Sequence, residues 1–311
     1  MTRIITVGAA QLGPIQRSDS RPAVIKRMLE LLRQAAEHKC NLVVFPELTL
    51  TTFFPRWWMT DQEEVDSFFE REMPANETAP LFNEAQRLGI GISFGFAEIE
   101  RRGSAVHHFN TSMLVDGSGK IAGKYRKIHL PGHAENEPWR AFQHLEKRYF
   151  EVGDLGFGVW KTMGGNFGMC ICNDRRWPET YRVMGLQNVE MVVLGYNTPR
   201  HHPPAPEHDA LSDFHNQLSM QGGAYANATW VLGVAKAGVE EGCELIGGSC
   251  IIAPTGQVVA QALTLGDELV VARCDLDLAK SYKETTFAFA KHRRPEHYGL
   301  IVERTGAQDP A

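Results

Sequence analysis

Three side chains of the 311-residue sequence stand where a carboxylate, an ammonium and a thiol could act on one bond. Glu47 follows the apolar run Asn41-Leu42-Val43-Val44-Phe45-Pro46. Lys127 lies in Tyr125-Arg126-Lys127-Ile128-His129-Leu130, and Cys172 closes Gly168-Met169-Cys170-Ile171-Cys172. The nucleophile in such a set is the thiolate, and a free thiol is mostly protonated at neutral pH. Glu47 could take that proton, while Lys127 could steady first the thiolate and then the oxyanion of a tetrahedral intermediate. Each residue alone has a plainer reading. A cysteine at a strand end is more often a small buried residue, Glu47 could cap a helix, and Lys127 could sit solvated at a hairpin end. The chemical reading rests on the three together.

Elements must deliver these side chains to one place. Hydrophobic periodicity predicts strands over residues 4–11, 41–46, 91–98, 108–115, 120–127, 165–172 and 189–196. Further strands are expected at 230–235, 249–253, 257–262 and 269–274. Helices are expected over 22–39, 78–88, 178–186 and 208–226, the last with Leu211, Phe214, Leu218 and Tyr225 along one stripe. On a strand through 165–172, Cys170 and Cys172 point to the same face. Mixed βα alternation and β-hairpins predict a layered α/β protein with a mixed sheet. In open sheets of this class, ligands sit outside the carboxyl ends of the strands. Residues 112–124 (SMLVDGSGKIAGK) echo 249–261 (SCIIAPTGQVVAQ) in length, turn placement and alternation. Two hairpins can look alike by chance. A true repeat would give two similar sheets facing one another with helices outside.

Composition narrows the classes. With 43% hydrophobic residues and 32 basic against 37 acidic side chains, the chain carries a net charge of −5. A large core is available, and no basic excess exists to neutralise a nucleic acid. Apolar runs fall short of the roughly 20 residues that span a bilayer, and the amino terminus lacks the pattern of a signal peptide. The expectation is a cytoplasmic protein with no nucleic-acid or membrane partner. The cysteines Cys40, Cys170, Cys172, Cys243, Cys250 and Cys274 form neither a CxxC pair nor a zinc motif. No linker or composition break divides residues 1–311, so one domain is expected, with a C-terminal extension from about residue 276.

Taken with their neighbours, these residues resemble a known family. Pro46-Glu47, Arg126-Lys127-Ile128-His129-Leu130 and Cys172-Asn173-Asp174-Arg175-Arg176-Trp177-Pro178-Glu179 are similar, in order and spacing, to the three signature motifs of the nitrilase superfamily of carbon-nitrogen hydrolases. The resemblance covers residues 4 to about 275. It implies a four-layer α-β-β-α sandwich of two mixed sheets with a pseudo-twofold repeat, a Glu-Lys-Cys triad, no metal or other cofactor, and a homo-oligomer, dimer or tetramer. It also marks Glu146, in Glu146-Lys147-Arg148-Tyr149-Phe150-Glu151, as a second carboxylate that orients Lys127 and substrate.

Departures from the family pattern bear on the substrate. Many members carry an aromatic residue after the nucleophile and one arginine two or three positions on. Here Asn173 follows, and then both Arg175 and Arg176. An arginine fork matches a carboxylate, so the pair suggests a small molecule with an anionic group near the scissile bond. One of the two is expected to hold structure instead, and the sequence does not say which. With Asn197-Thr198-Pro199-Arg200 and the following His-Pro segment, the pattern resembles the N-carbamoyl-D-amino-acid amidohydrolases within the family. That resemblance alone implies the D-configuration. A sister amidase or a β-ureidopropionase-like enzyme is the alternative. Asn173, Asn197 and Thr198 are candidates for substrate contacts, and His129 and His144 for hydrogen bonds that fix the carboxylates. Histidines 201, 202 and 208 could instead hold a metal, but three prolines among them break the fixed spacing such sites need. A non-enzymatic relative would have no use for all of Glu47, Lys127 and Cys172.

Overall fold

The computed structural model describes residues 2–310. Its first half runs β1 (Ile4–Gln11), α1 (Arg21–Glu37), β2 (Leu42–Val44), α2 (Gln62–Asp66), α3 (Ala79–Leu88), β3 (Gly91–Arg102), β4 (Ala105–Val115), β5 (Ile121–Arg126) and α4 (Glu146–Tyr149). The second runs β6 (Val159–Thr162), β7 (Gly165–Ile171), α5 (Pro178–Leu186), β8 (Met191–Tyr196), α6 (Ser212–Asn227), β9 (Trp230–Ala235), β10 (Ala237–Glu240), β11 (Cys243–Ile246), β12 (Cys250–Ile252), β13 (Val258–Gln261) and β14 (Glu268–Asp275). Three short helices, α7 (Lys280–Glu284), α8 (Phe289–His292) and α9 (Gly299–Glu303), follow.

Two six-stranded sheets result, in the orders β14-β1-β2-β3-β4-β5 and β13-β12-β9-β8-β7-β6. Each has three parallel strands at its centre, β1-β2-β3 in one and β7-β8-β9 in the other. Each carries an antiparallel hairpin on one side, β4-β5 or β12-β13, and a single antiparallel strand, β14 or β6, on the other. The echo between the hairpins is therefore a repeat of position as well as of pattern. Both have a register shift at matching residues, Leu114/Val115 and Ile251/Ile252. Both close through a glycine in the left-handed region, Gly119 at φ 86° and Gly256 at φ 82°, a conformation that favours a residue without Cβ.

Burial on both faces explains the near-continuous apolar central strands. Ile5, Val7, Ala9, Leu42 and Val44 point from the first sheet into a core shared with Phe167, Met169, Val192, Leu194 and Leu232 of the second. Alternate residues such as Val43, Ile92 and Phe94 face outward onto Val24, Met28, Leu31 and Leu32 of α1 and Leu81 and Phe82 of α3. Helix α1 starts where Ser20 accepts from the Ala23 amide, with Pro22 in its first turn, an arrangement suited to a helix start. Each fully buried leucine on it contributes about 2 kcal/mol. Helices α5 and α6 cover the other sheet through Tyr181, Met184, Met220 and Ala224. The four layers are thus helix, sheet, sheet, helix.

Two expectations are corrected. The stripe Leu211, Phe214, Leu218 and Tyr225 is exposed (45 to 59%), and Asn216, Met220, Gly223 and Ala224 form the buried face of α6. Close approach of α5 is the reason: a Cβ on Gly223 would lie 2.5 Å from the Tyr181 ring. Small residues let the backbones meet, and the large ones turn outward. Second, the strand expected to run through Cys172 ends at Ile171. Cys172 opens a 3-10 turn, Cys172–Arg176, so Cys170 alone remains in the strand and the two thiols do not share a strand face.

Candidate active site

The sheets bring the carboxyl ends of β2, β5 and β7 together. Glu47 leaves β2 on a turn held between the two sheets. Gly95 of β3 donates its N–H to Pro46 O at 3.0 Å. A Cβ on Gly95 would come within 2.8 Å of Glu47 Cα, and one on Gly195 of β8 within 2.2 Å of Glu47 N. Only backbone fits on either side of Glu47.

Lys127 follows β5 and is wholly buried, as are Glu47 and Glu146. Its Nζ donates to Glu47 Oε1 at 2.7 Å and to Glu146 Oε2 at 2.6 Å. Asn110 Nδ2 donates to Glu47 Oε1 at 2.8 Å, and the Asn197 amide to Glu47 Oε2 at 3.1 Å. Asn197 Nδ2 also binds Glu47 O at 2.9 Å. His144 Nε2 lies 3.2 Å from Glu146 Oε1, at the start of α4. Burial works against the Lys127 charge, but Cys172, Glu146 and Glu47 outweigh it and hold Nζ protonated. Burial also opposes the Glu146 charge, and Lys127 and His144 outweigh it, keeping the carboxyl below the usual carboxylate range.

Cys172 is 4% exposed and sits at φ 46°, a left-handed conformation that costs a residue with a Cβ roughly 1–2 kcal/mol. Asp174 supports the turn. Its Oδ2 accepts from the Ile171 amide (3.0 Å) and the Tyr125 hydroxyl (2.8 Å), and its Oδ1 from the His129 amide (2.9 Å) and Nδ1 (2.8 Å). That carboxylate ties the end of β7 to the exit of β5. Burial, then Glu47, push the Cys172 thiol up, against Lys127 and Arg175. The reason is visible in the charges: two carboxylates already face one ammonium. A thiolate would be a third anion, so the resting sulfur keeps its proton until an acceptor takes it.

The two arginines have different surroundings. Arg175 is buried, donating to Cys172 O at 2.6 Å and Thr198 Oγ1 at 2.8 Å, with its guanidinium 4.5 Å from the centre of the Tyr196 ring. Arg176 is exposed, reaches only Asn173 Oδ1 at 3.4 Å, and has no carboxylate partner among the described residues. Asn173 Nδ2 donates to His129 O at 3.1 Å. His129 is bound to Asp174 rather than to Glu47 or Glu146, and stacks on Trp177 at 4.9 Å. Asn197 and Thr198 emerge beside Cys172 because β7 and β8 are parallel neighbours, with Ile171 opposite Gly195. In the His-Pro segment, His201 Nδ1 bonds Asp209 at 2.6 Å. No group of three or more His, Cys, Asp or Glu suited to a metal occurs among the described residues.

The sequence reading missed Asn110 and the four hydrogen bonds by which Asp174 ties the turn. Asn110 is a fully buried amide in the middle of β4, an unfavourable place for asparagine without a partner; asparagine inside an expected strand was the available signal.

The family pattern described as Carbon-nitrogen hydrolase matches residues 6–284. The chain is 31% identical to an N-carbamoylputrescine amidase of Solanum lycopersicum, over 98% of this chain and 97% of that one. It is 29% identical to a citrullinase of Francisella tularensis, over 92% and 95%. A carbon-nitrogen hydrolase from Helicobacter pylori G27 superposes with a TM-score of 0.82 at 24% identity, covering 97% of this chain and 99% of that one, a likeness of fold. No described helix is long and apolar enough to cross a membrane. The chain belongs to the carbon-nitrogen hydrolase family, the nitrilase superfamily.

Proposed function

We propose that this carbon-nitrogen hydrolase removes the carbamoyl group of N-carbamoyl-D-amino acids, giving the D-amino acid, ammonia and carbon dioxide. The observation that carries the reading is Arg176: an exposed guanidinium with no carboxylate partner among the described residues, four residues along the turn that Cys172 opens. A carboxylate a few atoms from a ureido carbon would meet it. The named relatives act on a carbamoylated amine and on citrulline, which supports ureido chemistry; a substrate ending in an ammonium would be repelled by Arg176.

In this reading Glu47 accepts the Cys172 proton as Sγ bonds the ureido carbon. The carbonyl oxygen becomes an oxyanion facing Lys127 Nζ and an amide N–H at the start of the 3-10 turn, where helical amides have no partner of their own. The Glu47 proton passes to the terminal nitrogen, the C–N bond breaks and ammonia leaves. Water, giving a proton to Glu47, then cleaves the thioester-type intermediate, and the released carbamate decomposes. Glu146, held by His144, orients Lys127. Asn173, Asn197 and Thr198 contact the substrate; Asn197 Oδ1 is buried without a donor, an acceptor for a ureido N–H. Arg175 and His129 support the turn.

We also infer a cytoplasmic protein of one domain, its extension from about residue 276 packed on α5 and α6 through Phe289 over Arg182 and Phe287 against Tyr225. The exposed Leu211, just before α6, and Phe214 and Leu218 of α6 suit a second copy of the chain; a monomer mass by light scattering would remove that part. Ammonia release from N-carbamoyl-D- and L-phenylalanine, an aliphatic amide and a nitrile tests the function. The D-ureido acid should turn over fastest. An L-selective or β-ureido preference moves the enzyme to a sister activity on another carboxylate-bearing substrate, and nitrile turnover overturns the role of Arg176.

A further inference from the structure

A second buried charge cluster lies beside the first. Lys236 and Glu240 are wholly buried and Arg56 nearly so. Lys236 Nζ has three acceptors: Glu240 Oε2 at 3.0 Å, Glu240 Oε1 at 3.4 Å and Thr51 O at 2.9 Å. Three acceptors for three N–H groups suit an ammonium; burial lowers the Lys236 pKa, and Glu240 pulls against it. Arg56 Nη1 donates to Glu240 Oε1 at 3.0 Å. Glu240 also receives the Phe53 amide at 2.8 Å and the Ile15 amide at 3.0 Å. Buried ion pairs add little stability over well-packed apolar side chains, so a triad of them calls for another account.

Its contacts supply one. Loop 51–56, which Glu240 and Lys236 grip, continues the turn that carries Glu47. The same loop receives the segment that carries Glu146: Pro55 O accepts from the Leu145 amide at 2.8 Å and Arg56 O from the Gln143 amide at 3.1 Å. The Phe53 ring stands edge-on to His144, with centroids 5.5 Å apart. On the other side, Lys236 N–H donates to Tyr196 O, one residue before the Asn197 amide that binds Glu47. Charge matches as well. Arg56, Lys236 and Glu240 sum to one positive charge, while Lys127, Glu47 and Glu146 sum to one negative charge.

We propose that Arg56, Lys236 and Glu240 are positioning residues for the reaction: a buried cluster of net positive charge that holds the Glu47 turn and the Glu146 segment in place around a single ammonium. The inference rests on the catalytic reading of Cys172 and not on which ureido compound is the substrate. Groups facing Cys172 are Glu47, Glu146, Lys127, Arg175, Cys170 and Tyr196, with Arg176 beyond. Those facing Lys236 are Glu240, Arg56 and Glu47.

Full-length protein is alkylated with iodoacetamide across a pH series, and the rate at Cys172 is read by peptide mass spectrometry, which separates it from Cys243 beside Arg56 and Glu240. Lys236→Met leaves the cluster neutral and should move the Cys172 midpoint to higher pH by about half a unit or more. Glu240→Gln leaves two positive charges and should move it to lower pH by a similar amount. The double variant restores one positive charge and should return the midpoint toward the parent. A scaffold role alone cannot produce shifts of opposite sign that cancel. Circular dichroism confirms folding of each variant. If Glu240→Gln does not fold, Lys236→Met and the double variant decide, the first shifted and the second restored. Shifts of one sign, no shift in folded variants, or no recovery in the double variant overturn the proposal. Indiscriminate alkylation of Cys172 in the parent protein overturns the nucleophile assignment and this inference with it, whereas a different preferred substrate leaves it standing.

Discussion

The two halves of the molecule share a topology and differ in what their strand tips carry. In the first half Glu47 follows β2 and Lys127 follows β5; after β8 and β13 the second half has Asn197 and Ala262. The second half instead bends sharply after β7 to present Cys172 at φ 46°. Of the groups gathered around Cys172, the first half supplies two carboxylates and an ammonium and the second supplies the sulfur, Asn197 and Arg175, although buried charge occurs in both halves. A repeated scaffold thus fixes where groups can stand, while the chemistry depends on the halves being unlike.

Removing the sulfur breaks this division of labour most severely. Cys172→Ala should lower kcat by about a thousandfold or more, with binding of a ureido acid, measured calorimetrically, retained through Arg176. Appreciable residual turnover would mean that the carboxylates and ammonium of the first half work without a covalent intermediate. Next in size is the seam. Gly195→Ala places a methyl group on the Glu47 backbone, and kcat should fall about tenfold to a hundredfold, since catalysis tolerates little misplacement. Unchanged kinetics would show that the base need not be clamped between the sheets. The adjacent arginines give the smallest and sharpest contrast. Arg176→Gln should raise KM about tenfold with little change in kcat. Arg175→Gln should lower thermal stability by about 1–3 kcal/mol, because the buried Cys172 carbonyl and Thr198 lose a donor. The reverse pattern would exchange their roles.

Much of this was legible in the sequence, and the reasons differ by region. Helix α5 and strand β1 fall on the expected residues because each has a clear apolar pattern and a turn or proline at its boundary. The catalytic candidates could be named because short charged segments interrupt apolar runs at strand ends. The face of α6 could not be read. Hydrophobicity favoured Leu211, Phe214 and Leu218, yet close backbone approach at Gly223 decided the packing, and steric fit leaves no trace in hydropathy. The choice between Arg175 and Arg176 was equally hidden, since adjacent identical residues separate only once a turn sends one inward. The Arg56–Lys236–Glu240 cluster joins residues 180 positions apart or more from a loop and a hairpin edge, and no local pattern announces it.

The turn of Pro46 and Glu47 between Gly95 and Gly195 has a consequence for biosynthesis. As the chain emerges from the ribosome, Glu47, Lys127 and Glu146 are made before the sulfur they serve, and the wall that completes their cradle comes later still. Until the second sheet closes over the first, Cys172 has no organised proton acceptor beside it. A nascent or broken chain therefore carries an ordinary thiol and no hydrolytic centre, and turnover arrives only with the finished architecture.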